Sequence, residues 1–135
     1  MPLSKLKLAL IFSVLLFTSC SETRTSDAKE AFEFWTGQSN NSQVEVLNGQ
    51  YWSSAHWSYE YEVFLKLNPT KKWLNELIKL NDLEKTTDRL IYSIEQTPEW
   101  FNPPENCIVY KSQFGNSRYY LDALTGELYV FEIQL

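Results

Sequence analysis

The stretch from Trp57 to Leu67 constrains the fold most strongly, because its side chains alternate in character with a period of two. One face would carry mainly aromatic and aliphatic side chains: Trp57, Tyr59, Tyr61, Val63, Leu65 and Leu67. The other face would carry mainly polar ones: Ser58, Glu60, Glu62, Phe64 and Lys66. Since successive side chains of a β-strand point to opposite sides, this pattern predicts a long strand with one buried and one exposed face.

Residues 27–36 have the signals of a short amphipathic helix. Asp27 and Glu30 have the spacing of a capping box, and the apolar residues that follow recur at helical intervals. Gly37 comes next, as glycine often does just beyond the end of a helix. We therefore predict a helix over residues 27–36.

A second helix is predicted over residues 69–81. Asn68 would cap it and Pro69 would occupy its first turn, where the missing N–H of proline is not needed. Its apolar stripe would consist of Trp73, Leu74, Leu77, Ile78 and Leu80.

Other apolar runs predict further strands. Residues 44–47 precede Asn48-Gly49, a dipeptide that strongly favours a two-residue hairpin turn. The end of the chain has the pattern of a three-stranded meander over residues 107–113, 117–122 and 127–134, with turns at Gly115-Asn116 and at residues 123–126.

Residues 90–95 are ambiguous. Leu90, Tyr92 and Ile94 alternate with more polar residues, which favours a strand, although Asp88 could instead cap a short helix. We interpret the segment as a strand.

The order of these elements predicts an α+β fold, with an antiparallel sheet of five to six strands and two helices packed on one face. Strands that follow one another in hairpins, without repeated strand–helix–strand units, favour antiparallel pairing. Cystatin-like and similar rolls are built in this way, an analogy of fold that carries no function.

The first twenty residues have the composition of a secretory signal peptide. Lys5 and Lys7 provide a positive start, an apolar run from Leu8 to Phe17 follows, and small residues lead to Cys20. The run is shorter than the about 20 residues that a membrane-spanning helix needs, which favours a cleaved signal peptide over residues 1–19 rather than an uncleaved anchor.

The residues Phe17-Thr18-Ser19-Cys20 resemble the lipobox of bacterial lipoproteins. The resemblance implies cleavage before Cys20, lipid attachment to Cys20, and membrane anchoring through that lipid. In bacteria with two membranes, Ser21 would favour the outer membrane as the final location. Residues 20–26 would then form a polar, lipidated tether, and residues 27–135 a single globular domain.

The net charge of the chain bears on the kind of partner that it can bind. The chain has a net charge of −5, and removal of residues 1–19, which hold two lysines and no acid, makes it −7. An acidic surface argues against nucleic-acid binding and favours solubility or a basic protein partner.

The residues that bind metals and cofactors are scarce. The chain has one histidine, His56, and Cys107 is its only cysteine besides Cys20, so we expect neither a zinc site nor an intramolecular disulfide. Glycine-rich phosphate-binding motifs are also absent from the sequence, and we expect no cofactor. Cys107 begins an apolar run, which favours a buried, unreactive thiol.

Candidate binding residues lie in two aromatic segments. Trp100 and Phe101 lie in a loop stiffened by prolines, where aromatic side chains often bind partners. The alternative is that both side chains fold inward and cover the sheet. Tyr51, Trp52 and His56 form the second candidate segment.

Catalysis is not expected. His56 lies near serines and acids, but the sequence does not show whether they converge, and a strand-end histidine is the simpler interpretation. Glu60 and Glu62 would project from one strand face about 7 Å apart, a spacing found in glycosidases, although such pairs normally come from different elements.

These observations favour a lipid-anchored, non-enzymatic interaction module of the cell envelope. One alternative is an inhibitor or immunity protein that neutralises a basic toxin or wall-degrading enzyme, since acidic charge speeds the capture of basic targets. Another is the binding of a sugar or small ligand by aromatic side chains.

The lipid anchor leads to a first prediction. Cys20→Ser should leave the protein uncleaved or in the soluble fraction of the producing bacterium, because the modified sulfur is lost. Fractionation and the mass of the mature N-terminus measure this. A Cys20→Ser protein that is processed and retained in membranes like the wild type would contradict the lipid anchor.

Overall fold

A computed structural model describes residues 21–39, 41–55, 59–113 and 115–135. The protein has an α+β fold in which two helices pack on an open, seven-stranded antiparallel sheet. The elements in chain order are β1 (Thr23–Thr25), α1 (Ala28–Thr36), β2 (Val44–Ser53), β3 (Tyr61–Pro69), α2 (Lys71–Leu80), β4 (Glu84–Thr86), β5 (Ile108–Lys111), β6 (Arg118–Leu121) and β7 (Leu128–Gln134).

The strand order in the sheet is β1-β2-β3-β7-β6-β5-β4. The C-terminal strand β7 therefore lies in the centre, paired with β3 on one side and β6 on the other. The edge strands β1 and β4 have three residues each. Short edge strands leave few backbone groups for pairing with another chain.

Both helices cover the same face of the sheet, as predicted. Helix α1 begins after Asp27, whose side chain accepts a hydrogen bond from the Glu30 amide, and ends at Gly37 in the left-handed conformation. Its buried residues Ala31 and Phe32 join the same apolar cluster as the inward side of α2. The sheet and the α2–β4 connection contribute the other buried residues of this cluster: Val44, Tyr51, Val63, Leu65, Leu67, Leu83, Tyr119, Leu128 and Val130.

The opposite face of the sheet is also buried, which corrects the prediction of an exposed face. Glu62 and Phe64, predicted to be on that exposed face, are each 1 % exposed. A second apolar cluster lies here, made of Phe64, Phe101, Val109, Tyr120, Tyr129, Phe131 and Ile133. Residues 87–107, which contain neither helix nor strand, cover it, and we call them the covering segment.

The predicted hairpin at Asn48-Gly49 is wrong, because β2 continues through both residues to Ser53. A bulge between Val46 and Asn48 shifts the register with β3, so that the strand bends without turning. Gly49 is needed for close approach: a Cβ there would lie 2.8 Å from the Ala31 Cβ of α1.

The predicted start of the second helix is also displaced. Strand β3 extends through Asn68 and Pro69, and Thr70 caps α2 by accepting a hydrogen bond from the Trp73 amide. Asn68 still pairs with Glu45 of β2, so the sheet register decides where the strand ends.

Three further predictions need correction. Residues 90–95 are irregular rather than a strand. The short strand β4, which pairs with β5, was not predicted. Residues 20–26 were predicted to be a tether, but Thr23–Thr25 within them pairs with β2 and so is a strand of the sheet. The sheet therefore has seven strands instead of five to six. The C-terminal meander is confirmed, with β5, β6 and β7 paired in sequence.

The contact at Gly49 supports a stability prediction. Gly49→Ala should lower the free energy of unfolding by about 1–3 kcal/mol, because the new methyl group overpacks the crossing of α1 and β2. Denaturant titration measures the loss. In a double-mutant cycle, Ala31→Gly should recover part of it, since it removes the nearest atom. Strictly additive losses would show that this contact does not limit the packing.

Candidate functional site

Tyrosine side chains gather at one end of the helix-covered face, where β3 begins and β7 ends. The ends of both helices border this region, and two concavities of about 260 and 390 Å³ open there, sharing Tyr61 and Gln134 in their walls. We call this region the tyrosine cleft and define it by Phe34, Tyr51, Tyr59, Tyr61, Tyr119, Glu132 and Gln134.

A single carboxylate organises the cleft. Glu132 of β7 accepts hydrogen bonds from the hydroxyl groups of Tyr61 and Tyr119, the latter at 2.5 Å. Glu132 lies opposite Val63 in the β3–β7 register, so it shares a sheet face with Tyr61, and its half-buried carboxylate is accessible from the cleft. Charge-assisted bonds of this kind are stronger than neutral ones and fix the orientation of both rings.

The aromatic wall continues across β2 to α1. The rings of Tyr51 and Tyr61 stack with centroids 6.1 Å apart, and the Tyr51 and Tyr59 hydroxyls are 3.0 Å apart. Phe34 of α1 packs against Tyr51 at 5.2 Å. Phe34 is 47 % exposed and Tyr59 is 60 % exposed, so the rim of the cleft is an aromatic surface open to solvent.

The buried hydroxyl groups of Tyr51, Tyr61 and Tyr119 have raised pKa values. Burial, reinforced by the negative charge of Glu132, raises the pKa of Tyr61 and of Tyr119 far above the ordinary value of 10.0. Burial and the bond to Tyr59 likewise raise the pKa of Tyr51. At neutral pH Tyr61 and Tyr119 therefore keep the hydroxyl hydrogens that they donate to the Glu132 side chain.

This arrangement suits recognition of a cationic group or a hydroxyl-rich ligand. Aromatic faces attract Lys and Arg side chains, and a carboxylate oxygen can accept further hydrogen bonds from them. Sugars also stack on aromatic rings and use hydroxyl and carboxylate partners. The cleft therefore has the chemistry of a binding site.

The covering segment on the other face is fastened by two arginines. Arg118 is buried and donates to the backbone oxygen of Asp88 and, at 2.7 Å, to its carboxylate. Arg89 donates at 2.8 Å to the backbone oxygen of Pro104, and its guanidinium lies 5.3 Å from the Tyr120 ring centroid. Arg118 thus holds the start of the segment against the sheet, and Arg89, itself in the segment, joins its two ends while its guanidinium lies near the Tyr120 ring of the sheet.

Glu62 fastens the middle of the covering segment. Its carboxylate accepts hydrogen bonds from the amides of Ile94 at 2.7 Å and Glu95 at 3.2 Å. Burial raises the pKa of Glu62, while the two amide bonds act in the opposite direction. Because Glu62 is 1 % exposed and both oxygens are occupied, the Glu60–Glu62 pair does not form the open carboxylate site that glycosidase chemistry requires.

The proline-rich loop contributes to the core. Phe101 is 7 % exposed and its ring packs at 5.0 Å on Phe64 and at 5.8 Å on Tyr129. Trp100 is half-buried and packs on Phe101 at 6.0 Å. The Phe101 side chain thus folds inward and covers the sheet, which is the alternative stated for this loop, and it is not exposed for binding a partner.

The second candidate segment is divided between the two sides of the sheet. Tyr51 belongs to the wall of the tyrosine cleft, although it is itself buried. Trp52, which is half-buried, lies on the opposite side, where its indole N–H donates to Glu22 at 3.1 Å. It lines a concavity of about 280 Å³ with residues 95–99 of the covering segment. His56 and Cys20 lie outside the described residues.

The sequence interpretation missed Glu132, and it treated Tyr61 only as a core residue. A signal was present: Glu132 is the one acid within the otherwise apolar run from Leu128 to Ile133. An acid inside a central strand needs a polar partner, and the tyrosines of neighbouring strands can provide it.

Cys107 is half-buried, and burial followed by the charge of Asp122 raises the pKa of its thiol. A raised pKa lowers the thiolate fraction at neutral pH and so disfavours reaction.

Residues 21–39, 41–55, 59–113 and 115–135 contain neither a cluster of metal ligands nor a membrane-spanning helix. No group of three or more His, Cys, Asp or Glu side chains there could hold a metal ion. No helix in the same ranges is long and apolar enough to cross a membrane.

Comparisons of the chain with protein-family models, with curated protein sequences and with solved structures find no match.

The buried carboxylate predicts a specific pH dependence. Because the folded state raises the pKa of Glu62 above 4.5, the native protein holds this proton more tightly than the unfolded chain. As the pH falls from 7 through the raised pKa towards 4.5, wild type should gain stability relative to Glu62→Gln, which cannot titrate. Denaturant titrations of both proteins across that range measure the difference. A constant difference, or a loss for wild type, would contradict the assignment.

Proposed function

We propose that this chain is a lipid-anchored, non-enzymatic interaction module of the bacterial cell envelope, with the tyrosine cleft as its binding surface. The observation that carries the proposal is Glu132, a carboxylate held by two tyrosine hydroxyls at the base of an open aromatic cleft. An oriented polar group surrounded by rigid aromatic side chains is typical of binding sites in proteins.

The occupant that best fits this chemistry is a basic side chain of a partner protein. Lys or Arg would pack its apolar stem on the tyrosine rings and place its charge beside Glu132. The net charge of −7 on the proposed mature chain would attract a basic partner from a distance and increase the association rate. This supports the more specific hypothesis of an inhibitor or immunity protein that acts on a basic toxin or wall-degrading enzyme.

The envelope location rests on the lipobox-like residues Phe17 to Cys20. Stable anchoring needs more than one acyl chain, and bacterial lipoproteins carry three. Ser21 favours the outer membrane in bacteria with two membranes. The analogy to cystatin-like rolls remains a hypothesis about shape and adds nothing to the functional argument.

A sugar or other small ligand is the second candidate, favoured by the stacked rings of Tyr51 and Tyr61. A sugar would need the ring faces and hydroxyl groups more than the charge. Replacement of Glu132 by Gln therefore separates the two candidates, because it preserves the size of the side chain and one accepting oxygen while removing the negative charge.

Photo-crosslinking from the cleft rim in the producing bacterium tests this proposal. A photoreactive phenylalanine analogue in place of the exposed Tyr59 should form an adduct with a basic envelope protein. With that protein purified, Glu132→Gln should weaken binding by about tenfold or more, since the partner's cation loses its counter-charge.

Glu76→Gln is the matched control, because Glu76 is exposed on α2 and its replacement changes the net charge equally. Equal weakening by both variants would indicate long-range attraction without use of the cleft. No protein adduct, together with a thermal shift caused by oligosaccharides, would favour the sugar-binding candidate. Neither a protein adduct nor a ligand shift would overturn the cleft as a binding surface.

A further inference from the structure

Three of the eight large hydrophobic side chains that are exposed in the described residues fall within one five-residue stretch of the covering segment. Leu90 is 63 % exposed, Tyr92 is 64 % exposed and Ile94 is 54 % exposed, while the intervening Ile91 packs against the core. We call Leu90, Tyr92 and Ile94 the apolar row. Clustered exposure of this kind in a soluble domain marks an interaction surface more often than scattered single residues do.

The apolar row is held in place, so its exposure is a built feature of the fold. On one side of it, Arg118 binds Asp88, and the Tyr120 hydroxyl donates to the Arg89 backbone oxygen at 2.6 Å. On the other side, Glu62 accepts the amide hydrogens of Ile94 and Glu95. The backbone is fastened inward while the three side chains project outward.

The apolar row ends beside the N-terminal strand. Glu95, next to Ile94, binds Arg24 of β1 with a nitrogen–oxygen distance of 2.5 Å. The neighbouring Gln96 oxygen accepts a hydrogen bond from the Gln50 side chain of β2 at 3.3 Å. Three residues lie between Cys20 and Arg24, and the four steps from one to the other span about 14 Å at full extension. A lipid on Cys20 would thus hold this edge of the domain within reach of the membrane surface.

The acids next to the apolar row lie beside arginines of the same protein. Asp88 is paired with Arg118, and Glu95 shares Arg24 with Glu22. With Arg89 next to Leu90, three arginines therefore accompany these three acids, despite the acidic net charge of the chain. Unpaired acids at this position would be repelled by anionic lipid, whereas paired ones leave the apolar side chains free to approach a bilayer.

We propose that the apolar row lies in the headgroup region of the membrane that holds the lipid on Cys20. This inference rests on the proposed lipid anchor and extends it: the lipid would tether the domain, and the row would orient it. The outer surface of the covering segment would then face the bilayer. Tyrosine suits the boundary between lipid and water, because its ring is apolar and its hydroxyl is polar.

Depth-dependent fluorescence quenching in vesicles tests the orientation. The full-length protein would be purified from membranes of the expressing bacterium and reconstituted in phosphatidylcholine vesicles. In a Cys107→Ser background, Tyr92→Cys would carry an environment-sensitive fluorophore, and nitroxide groups would be placed on the lipid headgroups. Emission at position 92 should fall by about twofold or more, since interfacial segments lie within the range of such quenchers.

Leu124→Cys in the same background is the matched control, because Leu124 is 84 % exposed on the turn between β6 and β7. Its emission should change little. Adding Leu90→Ser and Ile94→Ser to the Tyr92→Cys protein should reduce the quenching at position 92. Both side chains are exposed, so these changes should leave the thermal midpoint near that of the parent.

The outcomes separate the anchor from the orientation. A protein that does not sediment with the vesicles would overturn the lipid anchor and the inference with it. A protein that sediments but shows equal or no quenching at positions 92 and 124 would overturn the inference alone. Protection of position 92 only after envelope proteins are added would mean that a protein covers the apolar row, which also overturns membrane contact.

Discussion

The buried carboxylate of Glu62 is the interaction on which much of this structure depends. The sheet has apolar side chains on both faces, so both faces must be shielded from water, and the helices shield only one of them. The covering segment protects the other face without a helix or strand of its own, so its backbone groups need partners from the sheet. Glu62 satisfies two of them and Arg118 of β6 a third, while Arg89, within the segment, binds the backbone of Pro104 near its other end.

The tyrosine cleft follows from the different lengths of the elements. The nine residues of α1 span about 14 Å, whereas the ten residues of β2 span about 33 Å. Helix α1 reaches Tyr51 with Phe34 and ends at Gly37, so it only borders this end of the strands, where aliphatic side chains would be partly exposed to water. Tyrosines with an internal carboxylate partner fill this end, because they combine apolar rings with satisfied hydroxyl groups.

The two proposed surfaces would give the domain opposite sides with different roles. The apolar row lies on the outside of the covering segment, whereas the tyrosine cleft opens on the helix-covered face of the sheet. A domain oriented by the row would therefore keep the cleft turned away from the bilayer. Glu132 would then be accessible to a partner arriving in the aqueous part of the envelope, where its charge and that of the whole chain act together.

Local chemistry in the sequence determined the two helices, the C-terminal meander and the antiparallel class, because caps, turn residues and period-two patterns act over a few neighbouring residues. Tertiary contacts decided the rest. Asn48-Gly49 continues a strand instead of turning because both residues pair with β3, and the glycine leaves room for Ala31 of α1. Glu62 is buried because a segment thirty residues further along the chain supplies two amides, and Glu132 is placed by tyrosines from β3 and β6. Such partners are distant in sequence, so no local pattern determines which residues meet.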